Sequence, residues 1–197
     1  MNPLLINDLS FLAKHGLKHA VGLDEAGRGA LAGPVVIAAV VLDYKVDLPL
    51  LNDSKLLSAA RRETLYMQIV ASALAFRIVE IPESVIDEIN ILQATFRGFQ
   101  KAYAAVKGLA DYALVDGRDL PAGVSGMAVV KGDSCHACIA AASILAKVHR
   151  DRVMEGLAPL YPEYGFAQHK GYGTKAHYSA LGVYGSSPVH RKSFRLF

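Results

Sequence analysis

Carboxylates follow apolar, strand-like segments at three places in this chain. They are Asp24 with Glu25, Asp116, and Asp133. Ligands of open α/β sheets bind at the carboxyl ends of strands, and acids that meet there raise one another's pKa unless a cation neutralises them. Mg²⁺ or Mn²⁺ suits such oxygen ligands. Two ions of this kind support in-line phosphoryl displacement, one by activating water and the other by stabilising the leaving oxygen. A single acid would indicate only a surface loop, but the repeated pattern favours a metal site.

A GRG segment, Gly27, Arg28 and Gly29, follows the first pair of acids directly. Glycines allow backbone amides to approach a ligand closely, and an arginine can pair with a phosphate. The alternative is a tight connection between two strands with an exposed arginine. These three residues by themselves favour that alternative.

Ser143, Lys147 and Arg150 have the i, i+4, i+7 spacing of one helical face. The face could track phosphates, or it could be an ordinary solvated face, and the spacing leaves both open. The HKGYGT segment at 169–174 places basic and aromatic groups beside two glycines. It suits a sugar–phosphate contact with stacking, and an ordinary turn with a half-buried tyrosine remains open.

Other cofactor sites are disfavoured. Cys135 and Cys138 are the two cysteines of the chain, whereas a structural zinc site needs about four ligands. We interpret them as packed or partly exposed thiols. The glycine spacing after Asp24 does not match the dinucleotide fingerprint, and Lys170 lacks the glycine-rich loop of a phosphate-binding P-loop.

The elements that must position these residues alternate between strands and helices. Apolar periodicity predicts helices over 3–15, 59–74, 91–106 and 136–157, with a short one after Gly173. Strands are predicted to run into Asp24 and Asp116 and to cover 33–42, 76–81 and 127–131. The 33–42 strand should be buried on both faces. Ser58 and Asn90 are predicted helix caps. This order indicates an α/β layer with a mixed sheet.

Composition limits the class of protein. The 197 residues are 52% hydrophobic and 20% charged, which predicts one large folded domain and excludes a disordered chain. A net charge of +3 is compatible with a polyanionic partner. We find neither a secretory leader nor an apolar run of membrane-spanning length. A cytoplasmic protein of a reducing compartment is therefore expected.

Eight short motifs, in order along the chain, carry a specific resemblance. They are GLDEAGRG at 22–29, NDSK at 52–55, VDG at 115–117, KGDS at 131–134, AASILAKV at 141–148, RD at 150–151, HKGYGT at 169–174 and HRKSF at 190–194. Together they resemble bacterial ribonuclease HII over nearly the whole chain. Ala30 and Leu31 depart from the family, in which proline often follows the GRG segment.

The resemblance implies a ribonuclease H-like α/β fold with a central mixed five-stranded sheet flanked by helices. It implies a single catalytic domain over 1–197, in which 159–197 forms a C-terminal helical extension that contacts substrate. The implied activity is endonucleolytic cleavage of RNA in RNA–DNA hybrids and incision 5′ to single ribonucleotides in duplex DNA. Products would carry a 3′-hydroxyl and a 5′-phosphate, and the implied role is ribonucleotide removal from DNA.

The resemblance also assigns residues. The four metal-binding acids would be Asp24, Glu25, Asp116 and Asp133, holding two Mg²⁺ or Mn²⁺ ions when substrate is bound. The GRG segment would sense the 2′-hydroxyl, the group that separates RNA from DNA. Tyr172 would pack against the sugar that follows the ribonucleotide. Lys55, Ser143 and Lys147 would face the nucleic acid. We expect a metal-bound water to attack the phosphorus, with the bound phosphate completing the metal site.

The resemblance also implies binding partners for this protein. The implied partners are RNA–DNA hybrids and DNA with single ribonucleotides, and the protein is expected to be a monomer. The tail at 193–197 faintly resembles a sliding-clamp peptide, whereas a packed or frayed terminus is the simpler interpretation. Two other functions remain open, a different two-metal nuclease or integrase on the same fold and a nucleic-acid-binding protein without catalysis.

Overall fold

One five-stranded sheet forms the centre of the protein, for which a computed structural model describes residues 1–110 and 112–196. Its strands are β1 (Ala20–Ala26), β2 (Val35–Val41), β3 (Ala75–Ile81), β4 (Tyr112–Asp116) and β5 (Gly126–Val129), in the order β3-β2-β1-β4-β5. The β1–β2 and β2–β3 pairs are antiparallel, and the β1–β4 and β4–β5 pairs are parallel. The predicted mixed five-stranded sheet is confirmed.

Helices cover both faces of this sheet. The α-helices of the described residues are α1 (Pro3–His15), α2 (Ala59–Ser72), α3 (Glu83–Val106), α4 (Ala137–Leu157), α5 (Phe166–His169) and α6 (Lys175–Tyr184). The last two pack in the C-terminal region. One face packs against α4, α1 and α2, and the other packs against α3. Every residue of β2 is buried, and alternate residues of this strand enter the two cores. The prediction that β2 is buried on both faces is confirmed.

The helix caps follow local chemistry. Ser58 Oγ accepts a hydrogen bond from Arg61 N, as expected for the N-cap of α2. Asn90 has φ 66° and divides α3 into two helical parts. Its Oδ1 accepts hydrogen bonds from Leu92 N at 3.0 Å and Gln93 N at 3.1 Å, so it caps the second part as predicted.

Helix α4 packs unusually close to β1. A Cβ atom added at Gly22 would lie 2.0 Å from the carbonyl carbon of Cys138, so only glycine permits this approach. The alanines of α4 are buried against the same face, and their small side chains allow close helix–sheet packing. The start of α4 is also tied to α1, because Asp8 accepts hydrogen bonds from Ala137 N and Cys138 N.

The thiols have the expected structural character. Cys135 is exposed, Cys138 is buried, and neither forms a disulfide. Burial raises the pKa of Cys138 well above its usual value. Both states agree with the interpretation of these residues as packed or partly exposed thiols.

A third apolar cluster joins the C-terminal region to the rest of the protein. It contains Leu31, Met154, Phe166, Leu181 and Leu196. The start of a C-terminal extension at residue 159 stays a prediction. Among the described residues, the C-terminal region packs against α4 through Met154. No helix among the described residues is long and apolar enough to cross a membrane.

Candidate active site

Asp24 and Asp116 lie side by side at the carboxyl ends of two parallel strands. The register of β1 and β4 pairs Leu23 with Val115, so the acids that follow each of these residues come next to one another. Asp24 is buried, and its Oδ1 accepts a hydrogen bond from Glu25 N at 2.7 Å. Parallel pairing therefore brings together two acids that are 92 positions apart in the sequence.

Asp133 is connected to the same edge through the backbone. Asp116 Oδ1 accepts a hydrogen bond from Gly132 N at 2.7 Å, which fixes the turn that carries Asp133. Asp133 is only 2% exposed. Its Oδ2 accepts a hydrogen bond from Lys55 Nζ at 2.9 Å, so the lysine ammonium covers this carboxylate from the cleft side.

Burial disfavours the ionised form of three of these acids. It raises the pKa of Asp24 well above its usual value, and the charges of Glu25 and Asp116 raise it further. Burial also raises the pKa of Glu25 to about 7, although Arg28 opposes the shift. The pKa of Asp116 is raised by burial as well. Neighbouring buried carboxyls of this kind are a favourable environment for a cation.

The oxygen donors fit a hard divalent ion, but the arrangement is incomplete for one. Within residues 1–110 and 112–196, no three Asp, Glu, His or Cys side chains converge closely enough to hold a metal ion. Asp133 is engaged by Lys55 at 2.9 Å, and Arg28 NH1 lies 3.8 Å from Glu25 Oε1. The acids therefore offer oxygen donors of the kind that a hard divalent ion prefers, without forming a metal cluster among the described residues.

A cleft of about 300 Å³ opens beside these acids. Its lining brings together nearly all of the residues singled out from the sequence. They are Asp24, Glu25, Gly27, Arg28, Gly29, Lys55, Asp116, Ser143, Lys147 and Tyr172, with Ala26, Ser54 and Arg62. Asp133 is the one predicted site residue that is not part of this lining, because it lies behind Lys55.

The GRG segment rests on a buried arginine of the C-terminal region. Arg191 donates from NH2 to Gly27 O at 2.8 Å, from NH1 to Arg28 O at 3.0 Å and from Nε to Gly33 O at 2.9 Å. The guanidinium is fully buried. Because Arg191 binds the carbonyl groups of the segment from inside the protein, it constrains the backbone that faces the cleft.

Arg150 does not belong to a phosphate-tracking or solvated face. It is fully buried and donates to Pro34 O at 3.0 Å, to Ala32 O at 3.1 Å and to Lys170 O at 2.9 Å. Both interpretations of this position are wrong, since the guanidinium is buried and donates to three backbone carbonyl groups inside the protein. Its guanidinium also lies 5.1 Å from the ring centroid of Tyr172.

Tyr172 is joined to the segment that follows the GRG segment. Ala30 and Tyr172 form an antiparallel bridge, and Leu31 N donates to Gly171 O at 2.8 Å. The tyrosine remains 36% exposed and lines the cleft. The two elements expected to read the sugar thus form one continuous wall.

The other predicted contact residues lie on α4 and in the loop that precedes α2. Ser143 Oγ and Ser54 Oγ lie 2.9 Å apart, which ties α4 to the loop that carries Lys55. Lys147 Nζ donates to Asp151 Oδ1 at 2.6 Å and still reaches the cleft.

Some residues at the site were not expected from the sequence. Arg62 on α2 donates to Ser54 O at 3.0 Å and lines the cleft. Arg191 lies within the HRKSF motif, but nothing in its spacing showed that it would bind the GRG segment. His177 and His190 are fully buried beneath Tyr172, and they had no assigned role.

The chain matches known proteins over most of its length. The family model described as "Ribonuclease HII" matches residues 21–197. The Ribonuclease HII of Geobacter sulfurreducens is 50% identical over 184 residues, which cover 93% of this chain and 85% of that protein.

Two solved structures superpose on this chain over most of its length. The RNase HII in the PCNA:RNase HII complex from Archaeoglobus fulgidus superposes with a TM-score of 0.78 at 25% identity, covering 91% of this chain and 96% of that one. Bst-RNase HIII in complex with Mn²⁺ has a TM-score of 0.71 at 17% identity, covering 94% of this chain and 70% of that one, and it supports the fold alone.

Proposed function

The chain belongs to the ribonuclease HII family, and from this premise we propose that it is an endonuclease that hydrolyses the RNA strand of RNA–DNA hybrids. The observation that carries the proposal is the cleft in which Asp24, Glu25 and Asp116 face the GRG segment and Tyr172. It combines an acidic edge, suited to cations, with a wall able to approach a sugar. Cleavage yields a 3′-hydroxyl and a 5′-phosphate.

The finer activity we propose is incision 5′ to a single ribonucleotide in duplex DNA. The GRG segment contacts the 2′-hydroxyl, and Tyr172 packs against the sugar that follows. Support comes from the bridge between Ala30 and Tyr172, which holds the GRG segment and Tyr172 in one wall of the cleft. Such a wall can test two consecutive sugars at once, as recognition of an RNA-to-DNA junction requires.

Asp24, Glu25, Asp116 and Asp133 would hold two divalent ions, Mg²⁺ or Mn²⁺. Such ions supply charge stabilisation at the scissile phosphate and lower the pKa of water. Since no three of these side chains converge on one point in the described residues, phosphate oxygens of the substrate would supply the remaining ligands. Asp133 would be a ligand once it is free of Lys55, which donates to it at 2.9 Å.

The remaining residues bind and orient the substrate. Lys147 and Arg62 offer positive charge along the cleft for the phosphate backbone. The exposed part of Arg28 lies near Glu25, where it can pair with a phosphate oxygen. The buried Arg191 keeps the GRG backbone in place through three carbonyl groups.

The proposal also covers partners and location. We propose that the protein acts as a monomer in the cytoplasm on duplex nucleic acid. A sliding-clamp contact through the tail stays a prediction. Leu196 is buried in the third apolar cluster, and Phe194 packs against Arg191, so a clamp would have to draw the tail out of these contacts. Phe197, the last residue of the suggested peptide, lies outside the described residues.

A substrate panel tests the function. It contains a duplex with one ribonucleotide, a continuous RNA–DNA hybrid and an all-DNA duplex, each with Mg²⁺, Mn²⁺ or chelator. We expect cleavage of the first two only, and only with metal. Asp116→Asn should lower the rate by about a thousandfold or more, whereas Asp119→Asn, an exposed neighbour, should not change it.

Each alternative has its own outcome in this panel. Cleavage of all-DNA duplex would indicate a different two-metal nuclease. Unchanged product formation by Asp116→Asn and in chelator would contradict metal-dependent catalysis, and nucleic-acid binding without catalysis would then be the better description.

A further inference from the structure

Two buried histidines connect the C-terminal region to the backbone of Tyr172. His177 on α6 and His190 in the tail are both fully buried. Their Nε2 atoms lie 2.9 Å apart. His177 Nδ1 lies 3.0 Å from Tyr172 O, and His190 Nδ1 accepts a hydrogen bond from Ser187 N at 2.9 Å. These contacts form one continuous line from Ser187 to Tyr172.

The protons in this line can be arranged in only one neutral way. The amide of Ser187 can only donate and the carbonyl of Tyr172 can only accept, so His190 Nδ1 carries no proton and Nε2 must carry it. Ser187 Oγ, 2.8 Å from the same Nδ1, is then a second donor to it. His190 Nε2 therefore donates to His177 Nε2, and the proton of His177 is on Nδ1, where it donates to Tyr172 O. Every donor meets an acceptor, and each ring is fixed in one tautomer.

A third histidine supports the residue before Tyr172. Gly171 N donates to His169 Nδ1 at 3.2 Å, so His169 Nε2 carries the proton and donates to Tyr164 O at 2.6 Å. The rings of His169 and His177 are stacked with centroids 4.4 Å apart. The backbone at 171–172 is thus held by two neutral imidazoles.

We propose that His177 and His190 are positioning residues for Tyr172, the residue proposed to recognise the RNA-to-DNA junction. Their hydrogen-bonded relay holds the Tyr172 carbonyl and so sets where the tyrosine ring contacts the substrate sugar. The proposal rests on the proposed function and deepens it, because it adds a determinant of selectivity that lies outside the cleft. Neither histidine lines the cleft, so both act through Tyr172.

The surroundings favour the neutral relay. Burial lowers the pKa of both rings, to about 4 for His190. The ring of Tyr172 also contacts the guanidinium of the buried Arg150. The tyrosine is therefore fixed from two directions, by the relay at its carbonyl and by Arg150 at its ring.

A spectroscopic measurement tests the relay in the unmodified protein. With ¹⁵N-labelled histidine, we expect a coupling through the hydrogen bond between His190 Nε2 and His177 Nε2, with His190 protonated on Nε2 alone. Absence of the coupling, or a proton on His190 Nδ1, at neutral pH overturns the relay.

A matched pair of variants tests its effect on selectivity. His190→Leu removes the donor to His177, whereas His190→Gln can restore an N–H at nearly the same place. The readout is the rate on the single-ribonucleotide duplex divided by the rate on the continuous hybrid. This ratio does not depend on the fraction of folded enzyme. His149→Gln, at a surface ion pair with Glu80, is the control, and Tyr172→Ala gives the ratio for complete loss.

We expect His190→Leu to lower the ratio by about tenfold, toward the Tyr172→Ala value, and His190→Gln to stay within about threefold of wild type. A wild-type ratio in His190→Leu, or equal losses in both variants, overturns the positioning role. Failure of the proposed function is a different result, since wild-type protein would then show no preference for ribonucleotide-containing substrates.

Discussion

Gly27 lies directly against the guanidinium of Arg150: a Cβ atom added at position 27 would be 1.8 Å from Arg150 Nε. Gly27 also has φ 92°, in the left-handed region that favours glycine. Arg150 cannot move aside without leaving the carbonyls of Pro34 and Ala32. The first glycine of the GRG segment is therefore required by packing, before any substrate binds.

The two glycines of the GRG segment should respond differently to alanine. Gly27→Ala should lower the free energy of unfolding by about 3 kcal/mol, which lowers the Tm by about 6–12 °C in a domain of this size. A Cβ atom at Gly29 would meet nothing within 4 Å, so Gly29→Ala should fold normally and lose ribonucleotide incision. Thermal melting with the incision assay checks both, and equal destabilisation would contradict the difference.

Lys55 should compete with metal for Asp133. Because Lys55 Nζ donates to Asp133 Oδ2 at 2.9 Å, Lys55→Met should free this carboxylate. Because Lys55 itself is exposed, solvent screens its ion pair with the buried Asp133 to about 1 kcal/mol or less, so Mn²⁺ binding without nucleic acid should strengthen by about three- to fivefold. Titration calorimetry measures it, with the exposed Lys101→Met as control. Weaker Mn²⁺ binding by Lys55→Met would contradict competition.

Metal affinity should rise with pH through about 7. The pKa of Glu25 is raised to about 7 by burial, so the folded metal-free protein binds more protons than the unfolded chain between about 4.5 and 7. Stability without metal should therefore fall as pH rises through this window, and Mn²⁺ should restore it. Melting curves of wild type and Glu25→Gln check this, and identical pH profiles for the two proteins would contradict it.

The histidine relay should make the free energy of unfolding increase with pH, opposite to the contribution of Glu25. The pKa of His190 is lowered to about 4, so the unfolded chain binds more protons between about 4 and 6.5. Its stabilising contribution is complete above about 6.5 and is lost as pH falls toward 4. The titratable groups facing the pair are His169 and Tyr164.

His190→Asn isolates this contribution, because it removes the titrating ring and can still accept from Ser187 N. Its unfolding free energy should depend less on pH between about 6.5 and 4 than that of wild type. Denaturant unfolding at several pH values measures the slope, and parallel curves for the two proteins would show that the relay does not titrate in this range.

Local features of the sequence determined the strands, the caps and the edge where the acids meet. The run of apolar residues in β2 predicted its burial on both faces, and Ser58 and Asn90 predicted helix starts. Acids at strand ends predicted a shared edge because parallel strands end together. Each of these inferences needs only neighbouring residues and the geometry of a sheet.

Tertiary structure alone decided what the polar side chains contact. Helical spacing placed Arg150 with Ser143 and Lys147, but its partners are backbone carbonyls of distant segments, and a carbonyl is the same in every residue. The bond from Lys55 to Asp133 spans 78 positions, and the one between His177 and His190 is set by the docking of α6 and the tail. The sequence determines which groups are available, and packing determines which of them meet.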